Sequence, residues 1–179
     1  MRSRLWRTAL VLLGATATVV LTGPPAHAAP NAGATVIKPN ITYYLVTSQQ
    51  SGKCLDLDGG SSAADTPIIQ WACHGGVNQQ WRLTLQARGY YLVSVAQTGM
   101  CLGLPDSATN DGAPLVQLAC DFQPDRLWRI SETSEGNLTF VSASSGKCLD
   151  VRDFSVNDGA RIQQWTCHGG ANQQWQIRE

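Results

Sequence analysis

The chain has 179 residues with 13 basic and 13 acidic side chains, so its formal net charge at pH 7 is zero. Three of the basic residues, Arg2, Arg4 and Arg7, fall in an N-terminal leader, which leaves the rest of the chain mildly acidic. A phosphate backbone is therefore not an expected partner, and no nucleic-acid binding is predicted.

The N-terminal segment has the pattern of a secretory signal peptide. An apolar stretch over residues 9–21 follows the arginines, and Ala26 and Ala28 frame an A-x-A cleavage site. The stretch is shorter than the roughly 20 apolar residues that span a bilayer, and no second apolar segment follows, so no membrane span is expected. We predict a signal peptide over residues 1–28, a linker over 29–40 and a secreted, extracellular protein.

The remaining chain, about 150 residues, is the size of one domain with its own hydrophobic core. Because an exported chain meets an oxidising compartment, its six cysteines are expected to form disulfides. A cysteine that follows a Gly-x pair occurs three times, and the next cysteine always lies 19 positions further on. This repeated spacing predicts the pairs Cys54 with Cys73, Cys101 with Cys120, and Cys148 with Cys167.

A step of 47 residues organises the whole segment, since it separates equivalent cysteines and also Trp81, Trp128 and Trp175. Short β-rich runs such as TYYLVTS and PIIQWAC alternate with clusters of Gly, Asp and Asn, and no window keeps a helical period. We predict an all-β fold of about twelve short strands, and a pseudo-threefold β-trefoil fits better than a propeller or a solenoid. The predicted domain covers residues 41–179, with repeats over about 41–87, 88–134 and 135–179.

Two of the repeats carry short motifs that point to a known family. SGKCLDL followed by NQQW in the first repeat, and SGKCLDV followed by NQQW in the third, resemble the Cys-x-Asp and Gln-x-Trp signatures of the ricin-type β-trefoil lectin domain. The resemblance covers almost all of residues 41–179. It implies a module that binds galactose-, xylose- or arabinose-containing glycans through one shallow pocket per repeat.

The middle repeat serves as an internal control for function. Features kept in all three repeats, among them the cysteine pairs, the tryptophans and the glutamines Gln70, Gln117 and Gln164, are attributed to the common fold. Other positions are identical in the two outer repeats and are all replaced in the middle one. This joint replacement indicates a shared function that the middle repeat has lost. The replacements are Asp56 and Asp150 to Gly103, Trp71 and Trp165 to Leu118, His74 and His168 to Asp121, Asn78 and Asn172 to Asp125, and Gln79 and Gln173 to Arg126.

The chemistry of this set suits a neutral sugar. An ionised aspartate accepts strong hydrogen bonds from adjacent hydroxyls, an indole offers a face to the C–H side of the ring, and an Asn or Gln amide completes the network or holds the aspartate. The predicted carbohydrate sites are Asp56, Trp71, His74, Asn78 and Gln79 in the first repeat, and Asp150, Gln163, Trp165, His168, Asn172 and Gln173 in the third.

Three details of these sites stay open at this point. Trp71 and Trp165 could be core residues, and His74 and His168 could contact ligand or cap their loop. The family pattern places a glutamine four residues before the second cysteine, which the third repeat has as Gln163. The first repeat has Ile69 there, so its pocket is expected to lack one amide contact.

Catalysis is not expected. Glycoside hydrolysis generally needs two carboxylates about 5 to 10 Å apart, whereas Asp56 and Asp150 belong to separate repeats and Asp58 is expected to face away from Asp56. Neither zinc spacing nor a calcium loop is present, so no metal or cofactor is predicted. A protein-binding or inhibitory trefoil, or a targeting subunit for a separate glycoside hydrolase, stands as the alternative to a free lectin. A monomer is expected, and Asn40 and Asn137 fit the glycosylation pattern.

Overall fold

The computed structural model describes residues 43–179, so the predicted signal peptide, the linker and the Asn40 glycosylation motif lie outside the described residues. This part of the chain contains twelve β-strands, which confirms the predicted all-β fold. They are β1 Leu45–Ser48, β2 Cys54–Leu57, β3 Ile68–Trp71, β4 Trp81–Leu85, β5 Tyr90–Val95, β6 Cys101–Gly103, β7 Val116–Leu118, β8 Leu127–Glu132, β9 Leu138–Ser142, β10 Cys148–Val151, β11 Ala160–Trp165 and β12 Trp175–Arg178.

Short 3-10 helices connect the strands. They span Asp58–Gly60, Ala87–Gly89, Pro105–Ser107, Pro124–Arg126, Arg152–Phe154 and Ala171–Gln173. Within residues 43–179, no helix is both long and apolar enough to cross a membrane.

The first and last strand of each repeat build a closed barrel. Antiparallel pairs join β1 to β12, β12 to β9, β9 to β8, β8 to β5, and β5 to β4. A bridge between Tyr44 and Trp81 closes the ring from β4 to the start of β1. Six strands therefore form a barrel without a free edge.

The two inner strands of each repeat form a hairpin, namely β2–β3, β6–β7 and β10–β11. The three hairpins contact one another through the β3–β11 pairing and through bridges from Pro67 to Val116 and from Pro114 to Gln163. A barrel with three hairpins, repeated three times along the chain, is the predicted β-trefoil.

The core has the same threefold symmetry. Trp81, Trp128 and Trp175 are fully buried, and each indole Nε1 donates a hydrogen bond to a leucine carbonyl of its own repeat at 2.9, 3.1 and 3.2 Å. Burial of an indole is favourable only when its N–H finds a partner. The recurring tryptophan therefore has a structural role, as its presence in all three repeats predicts.

The three recurring glutamines connect the repeats. Gln164 is fully buried, and its Nε2 donates to the carbonyls of Ala108 and Asn110 in the preceding repeat, at 2.9 and 3.0 Å. Gln70 and Gln117 make the equivalent pairs of bonds. These amides satisfy loop carbonyls of a neighbouring repeat, which confirms their structural assignment.

The three disulfides form as predicted. Cys54 is bonded to Cys73, Cys101 to Cys120, and Cys148 to Cys167. Each bridge ties the first strand of a hairpin to the loop that follows the second strand, where the candidate site residues are concentrated.

The glycosylation motif at Asn137 lies in a buried position. Only 4% of Asn137 is exposed, and its Nδ2 donates a hydrogen bond of 2.8 Å to Oε1 of Gln174. Because Nδ2 is the atom to which a glycan is attached, the folded domain does not offer this motif for modification.

Candidate functional site

A cavity of about 260 Å³ lies on the outer side of the β10–β11 hairpin. The hairpin register places Asp150 directly opposite Gln163, and Trp165 stands at the end of β11. The cavity brings together a buried carboxylate, an amide and an exposed indole. Its lining consists of Asp150, Asp153, Phe154, Gln163, Trp165, His168 and Asn172.

Three amides hold the Asp150 carboxylate, which is only 2% exposed. Gln163 Nε2 donates to Oδ1 at 2.9 Å, while Asn172 Nδ2 and Gln173 Nε2 donate to Oδ2 at 2.8 and 2.9 Å. A carboxylate has about four acceptor positions, so one stays open to a ligand hydroxyl. The predicted amides therefore orient the aspartate, and Asn172 has no N–H left over because its second one goes to the carbonyl of Val151.

The loop after Trp165 is closed by Gln173 and His168. Gln173 is fully buried and its Oε1 accepts the N–H of His168 at 2.9 Å. Nδ1 of His168 in turn accepts the N–H of Gly170 at 3.1 Å, so the histidine caps the loop. The other ring nitrogen, Nε2, lies 3.7 Å from Oδ2 of Asp150 on the cavity side. His168 therefore caps its loop, and contact of its Nε2 with a ligand stays a prediction.

A glycine is required in this loop for space. A Cβ atom on Gly170 would lie 2.7 Å from Cε1 of His168 and 2.8 Å from Oδ1 of Asn172, so a larger residue would displace both. Gly76 is in the same situation between His74 and Asn78. The second glycine of each CHGG motif is therefore part of the site geometry.

The first repeat repeats this arrangement around Asp56, which is 3% exposed. Gln79 Nε2 donates to Oδ2 at 2.7 Å, and Asn78 Nδ2 lies 3.1 Å from each carboxylate oxygen. Ile69 stands opposite Asp56, so no third amide reaches the carboxylate. The cavity of about 270 Å³ is lined by Asp56, Asp58, Gly59, Ile69, Trp71, His74 and Asn78.

Both site tryptophans are surface residues. Trp71 is 43% and Trp165 is 40% exposed, so the interpretation as core residues is wrong. Each indole rests against a glycine of another repeat. A Cβ atom on Gly159 would lie 3.8 Å from Cζ3 of Trp71, and one on Gly112 would lie 3.7 Å from Cζ3 of Trp165. The outer face of each ring is left available for a ligand.

The residue before each of these glycines fixes the chain next to the tryptophan. At the third site, Asp111 of the middle repeat accepts the N–H of Thr166 at 2.7 Å and pairs with Lys147 Nζ at 2.7 Å. Asp158, Lys53 and the N–H of Ala72 make the same contacts at the first site. These residues were not predicted from the sequence. A signal for them exists, because at the equivalent positions for the middle site Met100 replaces the lysine and Ala64 replaces the aspartate.

Side chains fill the corresponding space in the middle repeat. A Cβ atom on Gly103 would lie 3.0 Å from Cγ of Arg126 and 3.0 Å from Cδ1 of Leu118. Ion pairs with Asp121 and Asp125 hold the Arg126 side chain in this position. The guanidinium stem thus lies where an outer site has its aspartate.

Burial raises the pKa of both site aspartates. Desolvation disfavours the ionised forms of Asp56 and Asp150, and the amide hydrogen bonds from Gln79 and Gln163 only partly oppose it. The supporting aspartates behave in the opposite way, because hydrogen bonds from Lys147 and Lys53 lower the pKa values of Asp111 and Asp158.

One expectation for the first pocket is wrong. Asp58 lines the same cavity as Asp56, because residues two apart on an extended chain share a face. Phe154 at the third pocket was also missed by the sequence analysis. It is 57% exposed, its ring lies 5.7 Å from that of His168, and the first repeat has Gly60 at this position.

Comparison with known proteins agrees with this architecture. The family model of the ricin-type beta-trefoil lectin domain matches residues 42–175. This chain belongs to the ricin-type β-trefoil lectin family. The family binds carbohydrates, and the predicted resemblance is confirmed. A comparison with curated proteins gives no match.

Solved structures of similar proteins include free lectins and a module of an enzyme. The designed 3-fold symmetric protein ThreeFoil is 36% identical to this ricin-type lectin, with a TM-score of 0.75 and coverage of 76% of this chain and 98% of that one. An exo-beta-1,3-galactanase from Clostridium thermocellum is 34% identical, with a TM-score of 0.75, over 78% of this chain and 30% of the galactanase. A Macrolepiota procera ricin B-like lectin in complex with lactose is 25% identical, with a TM-score of 0.67 and coverage of 76% and 94%.

Proposed function

We propose that this lectin binds galactose-, xylose- or arabinose-type sugars through the pockets of its first and third repeats, without catalysis. The observation that carries the proposal is the same at both sites. A buried carboxylate, oriented by amides and with one acceptor position open, lies beside an exposed indole in a cavity of about 260 to 270 Å³. The middle repeat, which lost the set, has the space filled by Arg126.

Galactose-type ligands have the strongest support among the three sugar classes. The Macrolepiota procera relative is in complex with lactose, and the similar galactanase acts on a galactan. One ring hydroxyl can donate to the open acceptor position of the Asp150 carboxylate, while the C–H face of the ring packs on Trp165.

Each pocket is shallow, so single-site binding is expected in roughly the millimolar to 0.1 millimolar range. A polysaccharide or clustered glycan that engages both outer pockets gains affinity because the second binding event is intramolecular. The protein is therefore proposed to recognise polymeric or clustered carbohydrates in the extracellular space, as a monomer whose three disulfides suit an oxidising compartment.

The similar galactanase favours a second role. This chain spans 30% of that enzyme, so a related module occurs beside a hydrolase. The present chain would then act as a targeting subunit that holds a separate glycoside hydrolase on its polysaccharide. Co-precipitation of hydrolase activity with the lectin on insoluble galactan distinguishes this role from free lectin activity.

A glycan array followed by titration calorimetry with galactose, lactose, and xylan and arabinan oligomers tests the proposal. Binding that persists in EDTA and releases no reducing sugar supports a metal-independent, non-catalytic site. An array without hits, together with a protein captured by pull-down, would favour the protein-binding alternative. Calcium-dependent binding or product release would contradict the proposed chemistry.

A further inference from the structure

Beside the third pocket lies a groove lined by two arginines. It consists of adjoining cavities of about 330 and 410 Å³, and Arg152 and Arg161 line both. Gln163 lines the first of these cavities and also the sugar pocket, while Asp153 lines the second and the pocket. The pocket and this arginine groove are therefore continuous.

The register of the β10–β11 hairpin fixes where the arginines stand. Asp150 pairs with Gln163 in the pocket; Arg161 lies on β11 two residues before Gln163, and Arg152 begins the 3-10 helix two residues after Asp150. Side chains two residues apart share a face, so Arg161 lies on the face of Gln163, about 7 Å along the strand. This separation suits a ring linked to the sugar in the pocket.

The groove carries positive charge that its surroundings only partly balance. Arg152 approaches Asp153 with 3.4 Å between Nε and Oδ2, but both side chains are largely exposed, at 59% and 85%. Among residues 43–179, the Arg161 side chain has no hydrogen-bond or ion-pair partner, while its backbone pairs with β3. A guanidinium group binds carboxylates and sulfates through two parallel hydrogen bonds.

The first pocket has the opposite character at the same places. Asp58 stands where the third repeat has Arg152, and Pro67 where it has Arg161. Asp58 lines the first pocket. Two pockets with the same carboxylate and indole therefore differ in what lies beside them: at these two places the first repeat has Asp58 and a neutral proline, and the third has two arginines whose charge Asp153 only partly balances.

We propose that the third site recognises acidic oligosaccharides, in which the ring next to the bound sugar carries an anionic group held by Arg152 and Arg161. A uronic-acid carboxylate is the ligand that the proposal commits to, and a sulfate ester offers the same charge from another source. This assignment rests on the proposed sugar binding and adds a substrate class to one of its two sites.

Titration calorimetry on two single-site proteins tests the assignment. Asp56→Ala leaves the third pocket and Asp150→Ala leaves the first. The probes are galactosyl-β-1,3-galactose, its analogue with glucuronic acid as the ring outside the pocket, and its sulfated analogue. In Asp56→Ala we expect the uronate to bind about two- to ten-fold more tightly than the neutral sugar, with a ratio that shrinks as salt rises. In Asp150→Ala the ratio is expected at or below one.

Substitution of the arginines identifies the groups responsible. Arg152→Gln combined with Arg161→Gln should bring the ratio in Asp56→Ala to about one, whereas Arg88→Gln, on a turn that lines neither cavity, should leave it unchanged. A sulfate that binds as well as the uronate indicates recognition of charge alone and overturns the commitment to uronic acid. Equal affinity for neutral and acidic sugars overturns the proposal, and loss of all binding in both single-site proteins overturns the sugar sites themselves.

We also infer that each outer site is shared between two repeats, so that the middle repeat serves the third site. Asp111 and Gly112 of the middle repeat support Thr166 and Trp165, and Asp158 and Gly159 of the third repeat support the first site in the same way. The loop that faces the blocked middle site has lost both residues, since Ala64 and Asp65 stand there. An Asp-Gly pair is therefore present where the site that it contacts is open and absent where that site is blocked, whatever the state of the site in its own repeat.

Asp111 is a positioning residue for the indole of Trp165, and Asp158 is one for the indole of Trp71. Each substitution should therefore weaken only the site that the aspartate contacts. In Asp56→Ala, the further change Asp111→Ala should weaken binding on the order of five-fold, while Asp158→Ala leaves it unchanged. In Asp150→Ala the effects should exchange. Asp111→Asn keeps an acceptor for the Thr166 N–H and should recover part of the loss. Equal effects of both changes on both sites, or a matching loss of thermal stability alone, would overturn this inference.

Discussion

The third and middle repeats have the same disulfide, core tryptophan and spacing, but they differ in the side chains on the outer side of their hairpins. In the third repeat, β10 and β11 pair Asp150 with Gln163, and the cavity is open. In the middle repeat, β6 and β7 make the equivalent pair, but it joins Gly103 to Val116, and Arg126 covers Gly103. The fold is therefore maintained by one set of residues and the site by another, so a repeat can lose its pocket without losing its structure.

Removal of either site aspartate should have the largest effect. An ionised Asp150 makes charge-assisted hydrogen bonds worth about 1.5–3 kcal/mol each, so Asp150→Ala should make third-site binding undetectable by calorimetry. Asp56→Ala should do the same at the first site. Asp121→Ala at the middle repeat is the matched control and should leave both binding phases. If neither substitution at the outer sites reduces sugar binding, the pocket assignment is wrong.

Reconstruction of the middle site should have the next largest effect. Gly103→Asp, Leu118→Trp, Asp121→His, Gln123→Gly, Asp125→Asn and Arg126→Gln together restore the outer set and remove the side chain that covers the pocket. We expect a weak third binding phase in calorimetry. Its affinity should rise when Ala64→Asp, Asp65→Gly and Met100→Lys are added, because the platform then regains its support from the first repeat. No gain from the second group would show that support from the neighbouring repeat is dispensable.

The sequence alone was sufficient for much of this architecture because the three repeats can be compared with one another. Their spacing predicted the disulfides and the twelve strands, and joint replacement in the middle repeat identified the outer residues that the structure brings together around Asp56 and Asp150. Asp111 and Asp158 escaped because they act on a site in another repeat, which only the packing of the hairpins reveals. Phe154 escaped because it has no counterpart in the first repeat.

Lower pH should reduce binding at both sites through the same carboxylates. Burial raises the pKa values of Asp56 and Asp150 above the ordinary 3.8, so each accepts a proton at a higher pH than an exposed aspartate. Since the sugar needs the ionised form, affinity should fall as pH decreases, with a midpoint above 3.8 and so above the range of Asp111 and Asp158, whose pKa values are lowered. Calorimetry from pH 7 to pH 3 measures this midpoint.

The neighbouring imidazoles need a separate control in that titration. Nε2 of His74 and Nε2 of His168 lie 3.5 and 3.7 Å from the carboxylates of their sites. Each imidazole favours the ionised form of its aspartate, so His74→Gln and His168→Gln should leave the midpoint in place or raise it if the aspartates are responsible. A midpoint at or below 3.8 in the unaltered protein would contradict the expected effect of burial.

The same proton uptake means that the folded state gains stability relative to the unfolded state as pH falls through these raised pKa values.

The smallest effect should separate the two outer sites. Gln163 donates to Asp150, whereas Ile69 leaves Asp56 with amides from Asn78 and Gln79 only. A hydrogen bond to an ionised carboxylate contributes about 1.5–3 kcal/mol, and because this one acts on the sugar only through Asp150, we expect the third site to bind the same neutral sugar several-fold more tightly. Gln163→Ile in the Asp56→Ala protein should weaken binding to the level of the first site. Ile69→Gln in the Asp150→Ala protein should strengthen it and lower the pH midpoint, because a hydrogen bond to the ionised carboxylate opposes its raised pKa. If both substitutions change affinity by less than two-fold, the difference between the sites comes from their rims, where Phe154 and Arg152 replace Gly60 and Asp58.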